Sequence, residues 1–164
     1  MPILSAGTLS LRCSSVLGSV LRDRAYAAQD NSIAEEALSL HRRPFLVGLD
    51  LPEGEQAIHC RELGLTLSVY WLISRDKGQH LVESVQQFKS ACALFTKIGV
   101  IDHICSAGLV LALSQLYLVQ TNKALLDEAS SIGDNLVKAW DANHRDFYYA
   151  LWAVSIMYLS LIHI

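Results

Sequence analysis

The sequence predicts an all-α protein of antiparallel helical hairpins stacked as a short α-solenoid, and three observations carry that expectation. Apolar residues recur at spacings of three and four over most of the chain, the period of one helical face. Only three prolines and nine glycines occur in 164 residues, too few for a loop-rich or all-β design. The segment Ile101 to Trp140 holds an apolar run, Ile104–Val119, a polar turn at Gln120-Thr121-Asn122 and a second periodic run, the pattern of two helices folded back to back.

The first helix is expected from about Leu4 to Ala28. Arg12, Arg22, Arg24, several serines and the lack of any acid before Asp23 are features shared with organellar transit peptides, and Ala25-Tyr26-Ala27 has the form of a secretory cleavage site. The charges at Arg22, Asp23 and Arg24 stand where the apolar part of a signal would run, so the helix is the preferred reading. Gln29 to Ser32 is a turn, and Ser32 followed by Glu35 makes a capping box for a helix from about Ile33 to Arg42. Pro44 to Gly54 contains two prolines and the acids Asp50 and Glu53, so it is expected as a loop between hairpins.

From Glu55 to Ile73 the order Leu63, Leu65, Leu67, Val69, Trp71 mimics strand alternation, but the length and the acidic start favour a helix. After the turn Ser74 to Gly78, Leu81, Val85, Phe88, Cys92 and Phe95 form one stripe, closed by Lys97-Ile98-Gly99 with a glycine suited to a left-handed C-cap. A further helix spans about Asp102 to Val119 and is apolar nearly all round, as an element packed on several sides should be. Its partner carries Leu125, Ala129, Ile132, Leu136 and Trp140 on one face, with Asp127 and Glu128 near its start and Lys138 near its end to complement the macrodipole.

The chain is thus expected to be one domain over residues 1–158, with hairpins at about 4–43, 55–97 and 101–140 and a partial one at 144–158 marked by Phe147, Tyr148, Leu151, Trp152 and Tyr158. A faint internal period of about 45 residues places Leu81 on Leu126, Glu83 on Glu128 and Phe95 on Trp140, and makes 101–140 the central unit. Leu159 to Ile164 matches one reading frame of the transposon end used to prepare sequencing libraries. Those last residues are expected not to be native, with the natural chain continuing past Tyr158.

A net charge of −3, spread thinly, offers nothing to a polyanion, which argues against nucleic acid as a partner. The cysteines Cys13, Cys60, Cys92 and Cys105 lack the close spacing of zinc or redox motifs and are expected as buried reduced thiols. Ile104 to Asn122 has the length of a membrane span but carries Ser106, Ser114, Gln115, Gln120 and Thr121 and no flanking basic cluster, so a buried helix of a cytoplasmic protein is expected instead.

Ala91, Leu94-Phe95, Lys97-Ile98-Gly99, Ala107-Gly108-Leu109, Leu116-Tyr117 and Ala129 together resemble the helix-turn-helix units of tetratricopeptide-like repeats over residues 55 to 158, at a longer spacing than that family's unit of about 34 residues. Leu113, Leu116-Tyr117, Leu125-Leu126, Glu128-Ala129, Trp140-Asp141 and Phe147-Tyr148 are similar to hairpins of the α/α-toroid enzymes that act on sugars. Those enzymes place a Gly-rich turn where this chain has His144-Arg145-Asp146. Neither resemblance transfers a functional residue.

Candidates for chemistry are few. His144-Arg145-Asp146 echoes a kinase catalytic loop without its asparagine or a phosphate loop, and Asp141, His144 and Asp146 are expected to cap a solvated turn. Asp102, His103 and Cys105 hold the residue types of an activated thiol, yet helix neighbours two apart point in different directions. His59-Cys60 fails in the same way, His80 is expected on the surface, and His41-Arg42-Arg43 is expected as a solvated helix end. No catalytic, metal or cofactor residue is assigned. The resemblance to helical repeats implies a non-catalytic module for a peptide or protein partner, and the toroid resemblance implies a fragment of a carbohydrate-active enzyme as the alternative.

Overall fold

The computed structural model describes residues 6–46, 48 and 50–138. Among them every regular element is a helix: α1 (Ala6–Ala28), α2 (Asn31–Leu46), α3 (Glu53–Ser74), α4 (Gln79–Lys97), α5 (His103–Gln120) and α6 (Lys123–Lys138). Each helix packs on the next, which gives three antiparallel hairpins stacked side by side. The expected partial hairpin at 144–158, Trp140 and the segment 159–164 lie outside the described residues.

The helix ends follow backbone chemistry that the sequence shows in part. Asp30, rather than Ser32, caps α2: its Oδ1 accepts from the backbone N–H of Ser32 at 2.9 Å and of Ile33 at 3.3 Å, and from the Ser32 hydroxyl at 2.8 Å. The α2 helix also runs past Pro44 to Leu46, so the loop between hairpins is shorter than Pro44 to Gly54. Proline already holds a helical φ, its missing N–H costs one bond only, and here the ring is buried. At the end of α4, Gly99 adopts φ +73° while its N–H reaches Thr96 O and the N–H of Val100 reaches Phe95 O, the paired bonds of a Schellman motif. The α6 helix begins at Lys123, which puts a lysine rather than Asp127 or Glu128 in its first turn. The dipole is therefore complemented only at its far end, by Lys138.

Thr121 ends α5 at φ +52°, a left-handed conformation that a β-branched residue adopts only under strain. Thr121→Asn is expected to raise stability by about 1 kcal/mol, because asparagine tolerates that region. Urea denaturation checks this, and an unchanged or lowered midpoint counts against strain at Thr121.

The main core is built from α3, α4, α5 and α6, with its longest buried run in α5. Among the described residues α3 touches α1, α2, α4 and α5, whereas α5 touches α3, α4 and α6. Phe88 of α4 fills the junction, fully buried between two glycines. One ring edge faces Gly64 of α3, where an added Cβ would meet it at 3.1 Å, and the other faces Gly108 of α5, where the approach would be 2.4 Å. Buried hydroxyls tie the same helices together: Ser68 and Ser84 lie 2.9 Å apart, and Ser84 donates to Gly64 O at 2.8 Å. The α5 helix has the length and composition to cross a membrane, and here it is buried without a break from Ala107 to Leu116, as a core helix is.

Candidate functional site

The first helices of the hairpins are closer together than the second ones. Contacts join α1 to α3 and α3 to α5, while α2 and α4, and likewise α4 and α6, have no Cα atoms within 8 Å of each other. Closer spacing on one side curves the stack toward that side, so α1, α3 and α5 line its inner face. Long side chains span the outer gap: Arg42 of α2 pairs with Glu83 of α4, and Lys89 of α4 pairs with Glu128 of α6 at 2.7 Å.

Charged pairs also stitch the inner helices. Arg12 and Arg22 of α1 pair with Glu55 and Glu62 of α3, the second pair at 2.8 Å, and Arg61 of α3 reaches Asp102 at 2.6 Å. Glu62 sits at the centre, accepting from Arg22 through Oε2 and from Arg61 through Oε1 at 3.0 Å, with the Ser19 hydroxyl donating at 3.0 Å. Burial pushes the Glu62 carboxyl up, but Arg22 and Arg61 outweigh it and hold the group below the usual carboxylate range. Asp102 serves twice, capping α5 by accepting the Cys105 N–H at 2.7 Å and holding Arg61.

Beside this network runs a groove. One cavity of about 390 Å³ is lined by Arg22, Asp23 and Tyr26 of α1, by Arg61, Leu65, Val69 and Leu72 of α3 and by Ile104 and Leu111 of α5. A second, of about 430 Å³, adjoins it through the shared Asp23 and Glu62 and adds Val16, Val20 and Ile58. The walls are thus mostly apolar, with a few charged groups at fixed positions, the composition of a ligand-binding pocket. The Asp23 side chain is 74% exposed at the rim, where its Oδ1 accepts from Arg22 at 3.0 Å and the rest of the carboxylate faces solvent.

The residues singled out in the sequence fall elsewhere. His41 is not part of a solvated helix end: it is buried, with Nδ1 2.8 Å from Thr66 Oγ1 and Nε2 3.1 Å from Ser15 O. A carbonyl only accepts, so Nε2 carries the proton toward Ser15 O, while Nδ1 lies against a Thr66 hydroxyl that donates to Glu62 O at 3.0 Å. Gly18 makes room for this ring, since a Cβ there would lie 2.8 Å from it. Arg42 is engaged by Glu83, and Arg43 is exposed as expected. His59 and Cys60 are both buried; His59 Nδ1 has no hydrogen-bond partner among the described residues, and burial pushes the Cys60 thiol up to about 11. His80 is half-buried rather than on the surface, paired with Asp76 and packed on Tyr70 with ring centroids 4.5 Å apart. Asp141, His144 and Asp146 lie outside the described residues.

The cysteines depart from expectation in two ways. Cys13 is exposed and Cys92 only partly buried, so not all are core thiols. Folding also brings Cys92 and Cys105 together, with their sulfurs 2.9 Å apart. Cys105 therefore lies against Cys92 of α4.

Burial holds both His41 and His59 below the usual imidazole range, so the folded protein keeps them neutral. The unfolded chain protonates them as pH falls through about 6.5, the folded chain only at lower pH, and stability is lost in that direction. The expected slope is up to about 1.4 kcal/mol per pH unit for each ring. Urea midpoints at pH 7.5, 6.5 and 5.5 measure it, and His59→Leu should flatten it; a midpoint that holds steady down to pH 5.5 excludes buried neutral histidines.

Comparison with protein-family models, with curated proteins and with solved structures finds no match for this chain. The inner-face residues Arg22, Tyr26, Arg61 and Glu62 escape sequence reasoning because each has an ordinary surface composition around it. The available signal is the separation of the bridged pairs, 40 residues for Arg22–Glu62 and 41 for Arg61–Asp102, which is close to the internal period.

Proposed function

We propose that the chain is a non-catalytic helical-repeat module, akin to tetratricopeptide-like repeats, that binds a peptide segment of a protein partner along its inner face. The observation that carries this reading is the groove drawn from α1, α3 and α5 together, apolar in its walls and charged at its rim. An extended peptide with an apolar side chain against Leu65, Leu72, Ile104 and Leu111, and a basic residue beside Asp23, satisfies both parts. Repetition is supported by the two outer bridges, since Glu83 and Glu128, one internal period apart, each pair with a basic residue of the preceding second helix. The toroid-enzyme alternative rests on Asp141, His144 and Asp146, and no observation among the described residues favours it.

Selection from a displayed random-peptide library tests the proposal. Selected peptides should share an apolar residue next to a basic one, and should lose binding at least tenfold to Tyr26→Ala, whose parent ring is 49% exposed and therefore dispensable for folding. Ligands indifferent to Tyr26→Ala and to Val69→Asp would place recognition elsewhere and defeat the reading.

A further inference from the structure

We propose that Cys92 and Cys105 are the site of a reversible disulfide, a redox-responsive crosslink between α4 and α5 formed by exchange with a low-molecular-weight disulfide. The sulfurs lie 2.9 Å apart where the second hairpin packs on the third, between α4 and α5, so bonding asks for little movement of either helix. The two thiols are unequal in access: Cys92 is partly exposed, whereas Cys105 is fully buried. They are unequal in chemistry as well. A hydrogen bond from Cys105 holds the Cys92 thiol below its ordinary range, against the cost of burial, and Ser106 adds a second bond. The Cys105 thiol is pushed up by that same contact with Cys92 and by burial. Cys92 is therefore the attacking thiolate and Cys105 the resolving group.

With glutathione disulfide as oxidant, the Cys92 thiolate attacks one sulfur, the glutathione S–S bond breaks and the first glutathione leaves as thiolate. Cys105 gives its proton to a departing thiolate and attacks Cys92 Sγ, the mixed disulfide breaks and the second glutathione leaves. Two protein thiols and one glutathione disulfide become one protein disulfide and two glutathione thiols, so electrons and protons balance. Cys105 then loses its contact with Phe88 O, now 3.5 Å. The bond also pins the start of α5, which carries Asp102, the partner of Arg61, and Ile104 on the groove.

The test uses the full chain with Cys13→Ser, which removes the exposed thiol, equilibrated with glutathione disulfide and then alkylated after denaturation. Expected are a mass about 2 Da lower, two fewer alkylated cysteines and a 92–105 cross-linked peptide. Cys105→Ser should instead keep one glutathione on Cys92, and Cys92→Ser should leave Cys105 unmodified. A parent chain that stops at a single glutathione adduct overturns the proposal. So does one that keeps both thiols alkylatable under conditions that oxidise dithiothreitol in the same tube.

Discussion

Phe88→Ala is expected to lower the stability of the protein by about 3–5 kcal/mol, the range for removing a large buried aromatic side chain. The residue is fully buried where three helices meet, and no neighbour can collapse into the space without moving α3 or α5. Against a total stability of about 5–15 kcal/mol, such a loss brings the chain near unfolding at ambient temperature. The converse change, Gly108→Ala, overfills the same junction, because the added Cβ would come within 2.4 Å of the ring and the opposite ring edge is already held against Gly64. Its expected cost is about 1–3 kcal/mol, reduced by the better helix propensity of alanine. Urea denaturation of Phe88→Leu, of Gly108→Ala and of the double variant that combines them forms a cycle. The pair should cost less than the sum of its parts, and strict additivity would mean that ring and glycine do not touch.

Leu116→Asp is expected to prevent folding altogether, since an unpaired buried carboxylate costs several kcal/mol beyond the lost apolar contact. Leu116 closes the continuously buried stretch of α5 beneath the α3–α4 turn, where Gly78 stands over it. Leu118, two residues on and 53% exposed, supplies the control: Leu118→Asp should leave the melt within a few degrees of the parent. Circular dichroism melts read both, and a cooperative transition at the parental temperature in Leu116→Asp would show that α5 is not a core helix.

The fold was legible in the chain because its grammar is local. The stripe Leu81, Val85, Phe88, Cys92, Phe95 and the closing Gly99 specify α4 without reference to any other helix, and the all-round apolar character of α5 announces burial on several sides. The faint likeness of Leu81 to Leu126 likewise corresponds to two buried positions. Errors arose where a local rule met a tertiary one. Pro44 was a stop signal by itself, yet burial of its ring carries α2 onward. His41 stands beside two arginines and by neighbourhood belongs in water, but the space left by Gly18 and the partners Thr66 and Ser15 hold it inside. The groove was not legible at all, because Arg22, Glu62 and Ile104 come from three helices whose register no short window contains. The same reason hid the approach of Cys92 to Cys105, which depends on how α4 and α5 face each other.

The pattern of helix contacts bears on how the chain folds. Among the described residues every helix touches only its next or next-but-one neighbour along the chain. Among these residues no distant segments have to find each other, so little loop-closure entropy accumulates and their topology is of the low-contact-order kind associated with fast folding. The α3 helix touches the most neighbours among the described residues, so amide protection is expected to be highest in α3 and to decay toward α1 and α6, which native-state hydrogen exchange checks.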